Sequence, residues 1–469
     1  MLVKKPVRSR SRLRDFLAID ERESVVKFAQ TPLGKVALFA CVLFLLLLPP
    51  VAKRLEPPLW VLLFAAMAAA HAYFPRFRAV ILLVATWSVA FFGLPAYTYR
   101  DLALVTLMIG SACSLYYVKR HKTSLYARRP VVTLLCTLAL LTAFAILLPD
   151  GTARDMTWSF VMIFNGYIWF LSYAITDQRS RHPSPGIVQM GVLRPFWVNS
   201  SNPIGKGAVF LKRHLATNSR DLAITQLTGL KLLMWMDVLI ALALSIHWLC
   251  VGQLHIPTQH QAVAAFVNHQ PYPVLVNWVA ITIDTVLFTL HLAVFGHNIV
   301  GLARLAGYRL PRNMCRPLES RTLAEFWNRY NFYFKEVMVD FFYVPTFLKV
   351  FRNHPRVRMF FATFMAAGVG NLIFHFIRDI PDIHTMGLWK TIESYASYTF
   401  YCVMLSVGIG ISQLRQHAGI QPPTTRLGRL RAFFIIWTFI VILQDFDVMK
   451  RDFTFSQNFA INAGLFGLR

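Results

Sequence analysis

Residues 359–379 read MFFATFMAAGVGNLIFHFIRD, an apolar stretch that is long enough to cross a bilayer as a helix. Asn371, His375 and Asp379 recur within it, each four residues after the last. Because residues at i and i+4 lie on one face of an α-helix, the three side chains predict a polar stripe. A polar stripe on a membrane helix is expected to face the bundle interior or water.

The rest of the chain repeats this apolar character. Of 469 residues, 56% are hydrophobic and 15% are charged. The sequence therefore predicts an all-α, polytopic integral membrane bundle of about eleven transmembrane helices. The expected spans are 35–51, 59–74, 79–97, 102–118, 131–148, 156–175, 224–251, 272–294, 359–377, 391–411 and 430–444.

The charges lie between the apolar runs. The net charge is +26, and a basic segment at 1–34 precedes a single transmembrane domain at 35–469. This placement is typical of the positive-inside rule and of contact with anionic headgroups, so we expect the lipid bilayer as a partner and no nucleic acid. The first apolar run lacks a small-residue cleavage site, which favours a retained anchor.

One apolar segment, 332–351, is expected to be re-entrant or interfacial rather than a span. It carries Lys335, Glu336 and Asp340, and a full span here would reverse the side of the basic residues that follow.

The stretch before this segment is typical of an amphipathic helix. Arg321 and Glu325, and Glu325 and Arg329, are four residues apart and are expected to pair. Asn328 and Asn331 are three apart, which predicts a shared face and, beside Trp327, a polar pocket under an aromatic rim. The alternative is an interfacial helix that aromatic and basic residues anchor.

The same stretch resembles a known family. EFWNRYN followed by VDFFYVP is similar to the signature of membrane-bound O-acyltransferases (MBOATs), in which Phe-Trp-x-Arg-Trp-His precedes an Arg-Asp-Tyr-Leu-Tyr-Ile-Pro-like stretch. MIFNGYIWFLSYAITDQRSR (162–181) and FWVNSSNPIGKGAVFLKR (196–213) resemble two further family segments. The resemblance covers about 160–380 and is closest to the bacterial branch that acylates exported polysaccharides and cell-wall polymers.

The resemblance implies an acyltransferase and its site residues. The bacterial branch carries its histidine in Gly-x-Trp-His-Gly, and an ungapped match places Asn371 there, with His375 one turn later. Asn331 corresponds to the histidine that closes the first signature stretch. The expected catalytic residues are His375, Asn331, Asn371 and Asp379, and the expected substrate-binding residues are Trp327, Asn328, Arg329 and Asp340.

These residue types suit acyl transfer. His375 would take the proton from an acceptor hydroxyl, Asp379 would hold its imidazole in one tautomer, and Asn331 or Asn371 would bond the developing oxyanion. Two alternatives stay open at this point. Asp379 and Arg378 can instead anchor His375 near the membrane surface, or the chain can be an inactive homologue with a degenerate site.

The expected function is acyl transfer in a bacterial cytoplasmic membrane. The donor would be an acyl-CoA or acyl carrier protein thioester, used as a co-substrate without any bound cofactor or metal. The acceptor would be a hydroxyl of a saccharide, cell-envelope polymer or lipid, with a periplasmic or carrier-protein partner. Arg316, Arg321 and Arg329 are candidates for a donor phosphate or for headgroups. The rival is a non-catalytic membrane scaffold or transporter.

Overall fold

The computed structural model describes residues 18–48, 58–95, 97–448 and 452–468, and these form helices and connecting turns without a β-strand. The helices are α1 (Glu23–Gln30), α2 (Pro32–Leu46), α3 (Pro58–Tyr73), α4 (Pro75–Gly93), α5 (Arg100–Arg120), α6 (Leu125–Arg128), α7 (Pro130–Leu147), α8 (Thr152–Arg179), α9 (Gly186–Gly191), α10 (Ala208–His214), α11 (Ser219–Gln253), α12 (Gln259–Val267), α13 (Val274–Leu305), α14 (Leu323–Tyr330), α15 (332–349), α16 (Pro355–Arg378), α17 (Pro381–Met386), α18 (Leu388–His417), α19 (Arg426–Asp447) and α20 (Phe455–Gly464).

Nine helices in the described part of the chain are long and apolar enough to span a membrane, namely α4, α5, α7, α8, α11, α13, α16, α18 and α19. The prediction of an all-α polytopic bundle is therefore confirmed, and the protein is a multi-pass membrane protein. The remaining two of the eleven expected spans differ from a simple helix. The first is a pair, α1 and α2, bent by 99°, and the second, α3, is apolar over only Trp60–Tyr73.

The bend between α1 and α2 has a local cause. Thr31 is extended and accepts a hydrogen bond from the Gly34 backbone at 3.0 Å, and Pro32 begins α2, so a new helix starts where the first one ends. The described part of the basic N-terminal segment packs on α11 through an ion pair of 2.5 Å between Asp20 and Lys231. Residues 1–17 of that segment lie outside the described residues.

Helix α15 covers most of the segment 332–351, and its expected re-entrant or interfacial position stays a prediction. It is not one of the apolar spanning helices of the described chain, and it contains a π-helical turn at Val339–Tyr343. Its first part is nevertheless buried, since Tyr333 and Val337 have no exposed surface. The helix therefore packs into the bundle with one face.

Helix α16 carries the polar stripe and also contains a π-helical segment, Phe364–Gly370, which ends directly before Asn371. Such wide turns are frequent at functional sites. A Cβ atom on Gly370 would lie 2.7 Å from the Phe342 ring of α15, and one on Gly368 would lie 3.1 Å from Ser406 Oγ of α18. The glycines thus let α15 and α18 approach α16 closely.

Candidate active site

A cavity of about 440 Å³ lies beside the polar stripe. Six segments distant in sequence form its wall: the loop at 200–202, α13, the junction of α14 and α15, α16, α18 and α19. Polar and titratable lining residues are Ser200, Ser201, Asn202, Tyr330, Asn331, Asn371, His375, Arg378, Tyr398, Tyr401, Gln444 and Asp447. The expected catalytic residues Asn331, Asn371 and His375 therefore share one cavity.

His375 is half-buried and lines this cavity among aromatic rings. The centroid of its ring lies 4.7 Å from that of Tyr398 and 5.7 Å from that of Phe334, which it meets edge to face. Close rings on two sides restrict how the imidazole can turn. The site thus fixes the orientation of the one histidine in the stripe.

A row of tyrosines on α18 faces the stripe on α16. Tyr398 donates a hydrogen bond to Asn371 Oδ1 at 2.9 Å, and Tyr395 donates one to Asp379 Oδ2 at 2.6 Å. The two helices are antiparallel, so residues later in α16 contact residues earlier in α18. All four side chains are at least 95% buried, and their polar atoms need these partners in a membrane interior.

Asp379 lies at the end of α16 and does not line the cavity. Its carboxylate accepts two hydrogen bonds from Arg378, from Nε at 2.7 Å and Nη2 at 3.0 Å, in addition to the one from Tyr395. Arg378 does line the cavity. Through these contacts Asp379 positions the Arg378 side chain. The expectation that Asp379 holds the His375 imidazole in one tautomer stays a prediction.

Asn331 sits where the chain leaves one helix and enters the next. Its backbone is not helical (φ −144°, ψ 86°), and its side chain caps α15 by accepting from the Phe334 backbone at 3.4 Å. Because α14 ends at Tyr330, Asn328 and Asn331 do not share a helical face as the spacing predicted. Asn328 is exposed and lies outside the cavity lining, whereas Trp327 is part of it.

The ion pairs expected on α14 are present. Glu325 contacts Arg329 at 2.7 Å and Arg321 at 3.6 Å. Burial opposes ionisation of Glu325, but hydrogen bonds from the Arg321 backbone and from Arg329, with the charges of both arginines, hold its pKa below the ordinary value. Arg329 is thus engaged along its own helix and does not line the cavity.

Asp340 belongs to a separate charged cluster. Lys206 contacts Asp340 at 2.7 Å and Glu336 at 2.9 Å, and Tyr173 donates to Asp340 at 2.8 Å. Burial lowers the Lys206 pKa, but the bonds to Asp340 and Glu336 outweigh it and raise that pKa. The same contacts lower the pKa of Glu336 against the effect of burial. Asp177 next to this cluster accepts from the Val209 backbone at 2.9 Å.

This cluster joins the three stretches that resembled family segments. Tyr173 and Asp177 come from 162–181, Lys206 from 196–213, and Asp340 from the stretch after EFWNRYN. Sequence reasoning did not single out Lys206, although this residue lies directly after Gly205 within 196–213, one of the stretches that carry the family resemblance. Its backbone is also left-handed, with a φ of 54°.

Sequence reasoning also missed the tyrosines, Arg378 as a cavity residue, and Gln444 and Asp447 on α19. The tyrosines had a signal, because Tyr395, Tyr398 and Tyr401 recur every three residues and thus lie on one side of a helix. The α19 residues had none, since no spacing within that helix relates them to α16.

The cavity also borders α13. Tyr330 lines it, and the Tyr330 hydroxyl lies 3.3 Å from Thr289 Oγ1 of α13. Burial raises the pKa of Tyr330 to about 12, so this hydroxyl stays protonated near neutral pH. Asp284 of α13 also has a local partner, since it accepts a hydrogen bond from the Gln259 backbone at 2.6 Å.

No family model matches the chain, and no curated protein is significantly similar to it. In the described residues, no three histidine, cysteine, aspartate or glutamate side chains lie together in a way that could hold a metal ion. The resemblance to the MBOAT signature therefore remains the argument for a family, and the cavity remains the argument for a site.

Proposed function

We propose that the protein is a membrane-bound O-acyltransferase that moves an acyl group from a thioester donor to a hydroxyl acceptor. One observation carries the proposal: Asn331, Asn371 and His375 line one cavity. The motif resemblance selected Asn331 and Asn371 from segments 40 residues apart. A chance resemblance in two segments would not require their residues to meet.

In the proposed reaction His375 acts as general base. A neutral imidazole nitrogen takes the proton of the acceptor hydroxyl while the oxygen attacks the thioester carbonyl. The C–O bond forms, the tetrahedral intermediate collapses, the C–S bond breaks, and the thiolate takes the proton back from the imidazolium. The products are an ester and a free thiol, so no metal or redox group is required.

The amide groups have different parts in this proposal. Asn371 stands where the bacterial branch carries histidine, but an amide cannot accept a proton at neutral pH, and Tyr398 already bonds its oxygen. Its NH₂ group can still donate to an oxyanion. Asn331 at the start of α15 can donate in the same way or orient the acceptor.

The donor is an acyl-CoA or acylated carrier protein, and the acceptor is a saccharide, envelope polymer or lipid. We place the enzyme in a bacterial cytoplasmic membrane on the same resemblance. Arg321 and Arg329 lie on the polar connection that a phosphorylated donor would meet. The aromatic rings of Trp327, Phe334 and Phe374 line the cavity, and apolar walls favour the exclusion of water, which would otherwise compete as acceptor.

One observation favours the rival function, a non-catalytic membrane scaffold. Tyr398 and Tyr395 donate hydrogen bonds to Asn371 and Asp379, the first and last polar residues of the stripe. A purely structural contact between the two helices, which we call the α16–α18 seam, would need the same two bonds. The His375 substitution distinguishes the two functions, because a scaffold does not need a base.

The test is a mass-spectrometric comparison of ester-linked acyl groups on envelope polysaccharides and lipids. It uses a deletion strain complemented with wild type, His375→Ala, Asn331→Ala or the control Asn328→Ala, at matched membrane levels. We expect an ester that deletion removes and that only wild type and Asn328→Ala restore. If His375→Ala restores it fully, His375 is not the base; if deletion changes no ester, the scaffold function replaces the enzyme.

A further inference from the structure

A second and larger hollow lies on the other side of α13. It is a groove of about 660 Å³ between α13 and α19, with apolar walls. Trp278, Val286 and Leu290 come from α13, and Phe434, Trp437 and Val441 come from α19. Both helices are membrane spans, so the groove runs within the depth of the bilayer.

The length of the groove suits an acyl chain. Its α13 wall runs from Trp278 to His297, and at a rise of about 1.5 Å per residue this is roughly 28 Å. The hydrocarbon core of a bilayer is about 30 Å thick. One acyl chain that starts at either end therefore fits along the wall.

Among the described residues that line the groove, arginines occur at one end only. Arg312 and Arg316 line the groove near His297, while Trp278 marks the opposite end. Within the described residues Arg312 forms no ion pair, and Arg316 pairs only with Glu319 at 3.4 Å, with both side chains more than half exposed. An exposed pair of this kind contributes little and yields easily to a phosphate.

The backbone at Arg316 is unusual. Its φ is 52°, in the left-handed region that non-glycine residues seldom adopt. Pro317 follows and begins a short 3₁₀ turn, Pro317–Glu319, so the chain turns sharply here. This turn holds the Arg316 side chain at the mouth of the groove.

The edges of the groove are apolar and open. Leu318 is 62% exposed and Phe434 is 58% exposed. Phe434 belongs to the spanning helix α19, where an exposed apolar side chain lies against lipid tails, so the occupant that reaches this groove comes from the membrane itself. The arginines at one end fit a phosphate and the apolar walls fit a hydrocarbon chain, and phospholipids carry both groups in one molecule.

We propose that this groove binds one anionic glycerophospholipid, with its phosphate between Arg312 and Arg316 and an acyl chain along α13. The Tyr330–Thr289 contact separates the groove from the His375 cavity, since Thr289 lines the former and Tyr330 the latter. The lipid site therefore does not depend on the proposed acyl transfer.

The test is native mass spectrometry of the full-length protein in detergent, with phosphatidylglycerol or phosphatidylcholine of identical acyl chains added. We expect one retained phosphatidylglycerol per chain and a clear preference over phosphatidylcholine. Arg312→Gln should weaken the binding of phosphatidylglycerol about fivefold, because it removes one arginine contact with the phosphate. Arg312→Gln/Arg316→Gln removes two such contacts and should weaken the binding about thirtyfold. The charge-matched control Arg352→Gln/Arg356→Gln, outside the groove, should leave the preference unchanged.

A second pair of variants tests the acyl chain. Val286→Trp fills the groove and should abolish the retained lipid, whereas Leu242→Trp places the same ring on an exposed surface outside the groove and should not. Thermal unfolding of each variant checks that it is folded. The proposal is overturned if wild type retains no phosphatidylglycerol, if Arg312→Gln/Arg316→Gln keeps the full preference, or if folded Val286→Trp binds as wild type does.

Discussion

The hydrogen bond between Tyr398 and Asn371 gives the sharpest test of the α16–α18 seam. Tyr398→Phe removes the hydroxyl and keeps the ring, so the ring contact with His375 at 4.7 Å and the stacking on Tyr401 at 5.3 Å remain. Both partners are 1% exposed, and the bond is 2.9 Å long. The substitution therefore leaves the Asn371 amide oxygen buried without the donor that holds it.

The magnitude follows from this burial. An unsatisfied buried acceptor costs about 1–3 kcal/mol in water-soluble proteins, whereas hydrogen bonds between membrane helices average about 0.6 kcal/mol and reach about 1.7 kcal/mol. For a bond between fully buried groups we expect a loss of about 1–1.5 kcal/mol for Tyr398→Phe. Asn371→Leu, which removes the acceptor and keeps the branched shape of the side chain, should cost at least a similar amount, because the larger Leu must also fit into the packed interior.

A double-mutant cycle isolates the bond. The free energy of unfolding would be measured by denaturant titration in mixed micelles for wild type, both single variants and Tyr398→Phe/Asn371→Leu. We expect the double variant to lose about 1 kcal/mol less than the sum of the single losses. Tyr401→Phe is the matched control, because its hydroxyl bonds to none of the described residues, and it should cost under about 0.5 kcal/mol. Losses that add within about 0.3 kcal/mol would refute the seam.

Two other predictions concern the packing around the site. Lys206→Met removes the cation shared by Glu336 and Asp340 and should cost about 2–3 kcal/mol of unfolding free energy at neutral pH. Folding lowers the pKa of Glu336 below its ordinary value of 4.5, so the ionised carboxylate stabilises the fold fully at a pH above 4.5. The loss of unfolding free energy in Lys206→Met, relative to wild type, should therefore shrink as the pH falls below 4.5. A loss that does not depend on pH would contradict the ion pair. Gly370→Val should cost about 1–3 kcal/mol because the Phe342 ring must move, whereas Gly110→Val, with nothing within 4 Å, should be nearly neutral; equal losses would rule out the close approach.

Local periodicity was enough to predict much of this site. The four-residue spacing of the stripe placed its residues on one face of α16, and the charge spacing on α14 predicted the contacts of Glu325 correctly. The apolar runs predicted every helix that is long enough to span. In each case the information lies within one helix, where geometry follows from sequence separation alone.

Other features depend on contacts between distant segments. The break at Asn331 separates Asn328 from the cavity, and its extended backbone is fixed where α14 and α15 meet rather than by the letters of the motif. Lys206 reaches Glu336 across 130 residues, and Tyr398 reaches Asn371 only in the antiparallel register of α16 and α18. A spacing rule cannot supply such a register, because it contains no information on which helices are neighbours.

The stripe on α16 therefore divides into two kinds of residue. Asn371 and Asp379 accept hydrogen bonds from α18, which is what a seam between membrane helices needs. His375 lies between them and faces a cavity that five other segments complete. If the stripe only held the two helices together, an apolar residue in place of His375 would pack equally well, because burying an imidazole within a membrane protein costs desolvation free energy. The seam holds the two helices in register, and that register presents His375 to the cavity, so the structural and the catalytic explanations of the stripe support each other.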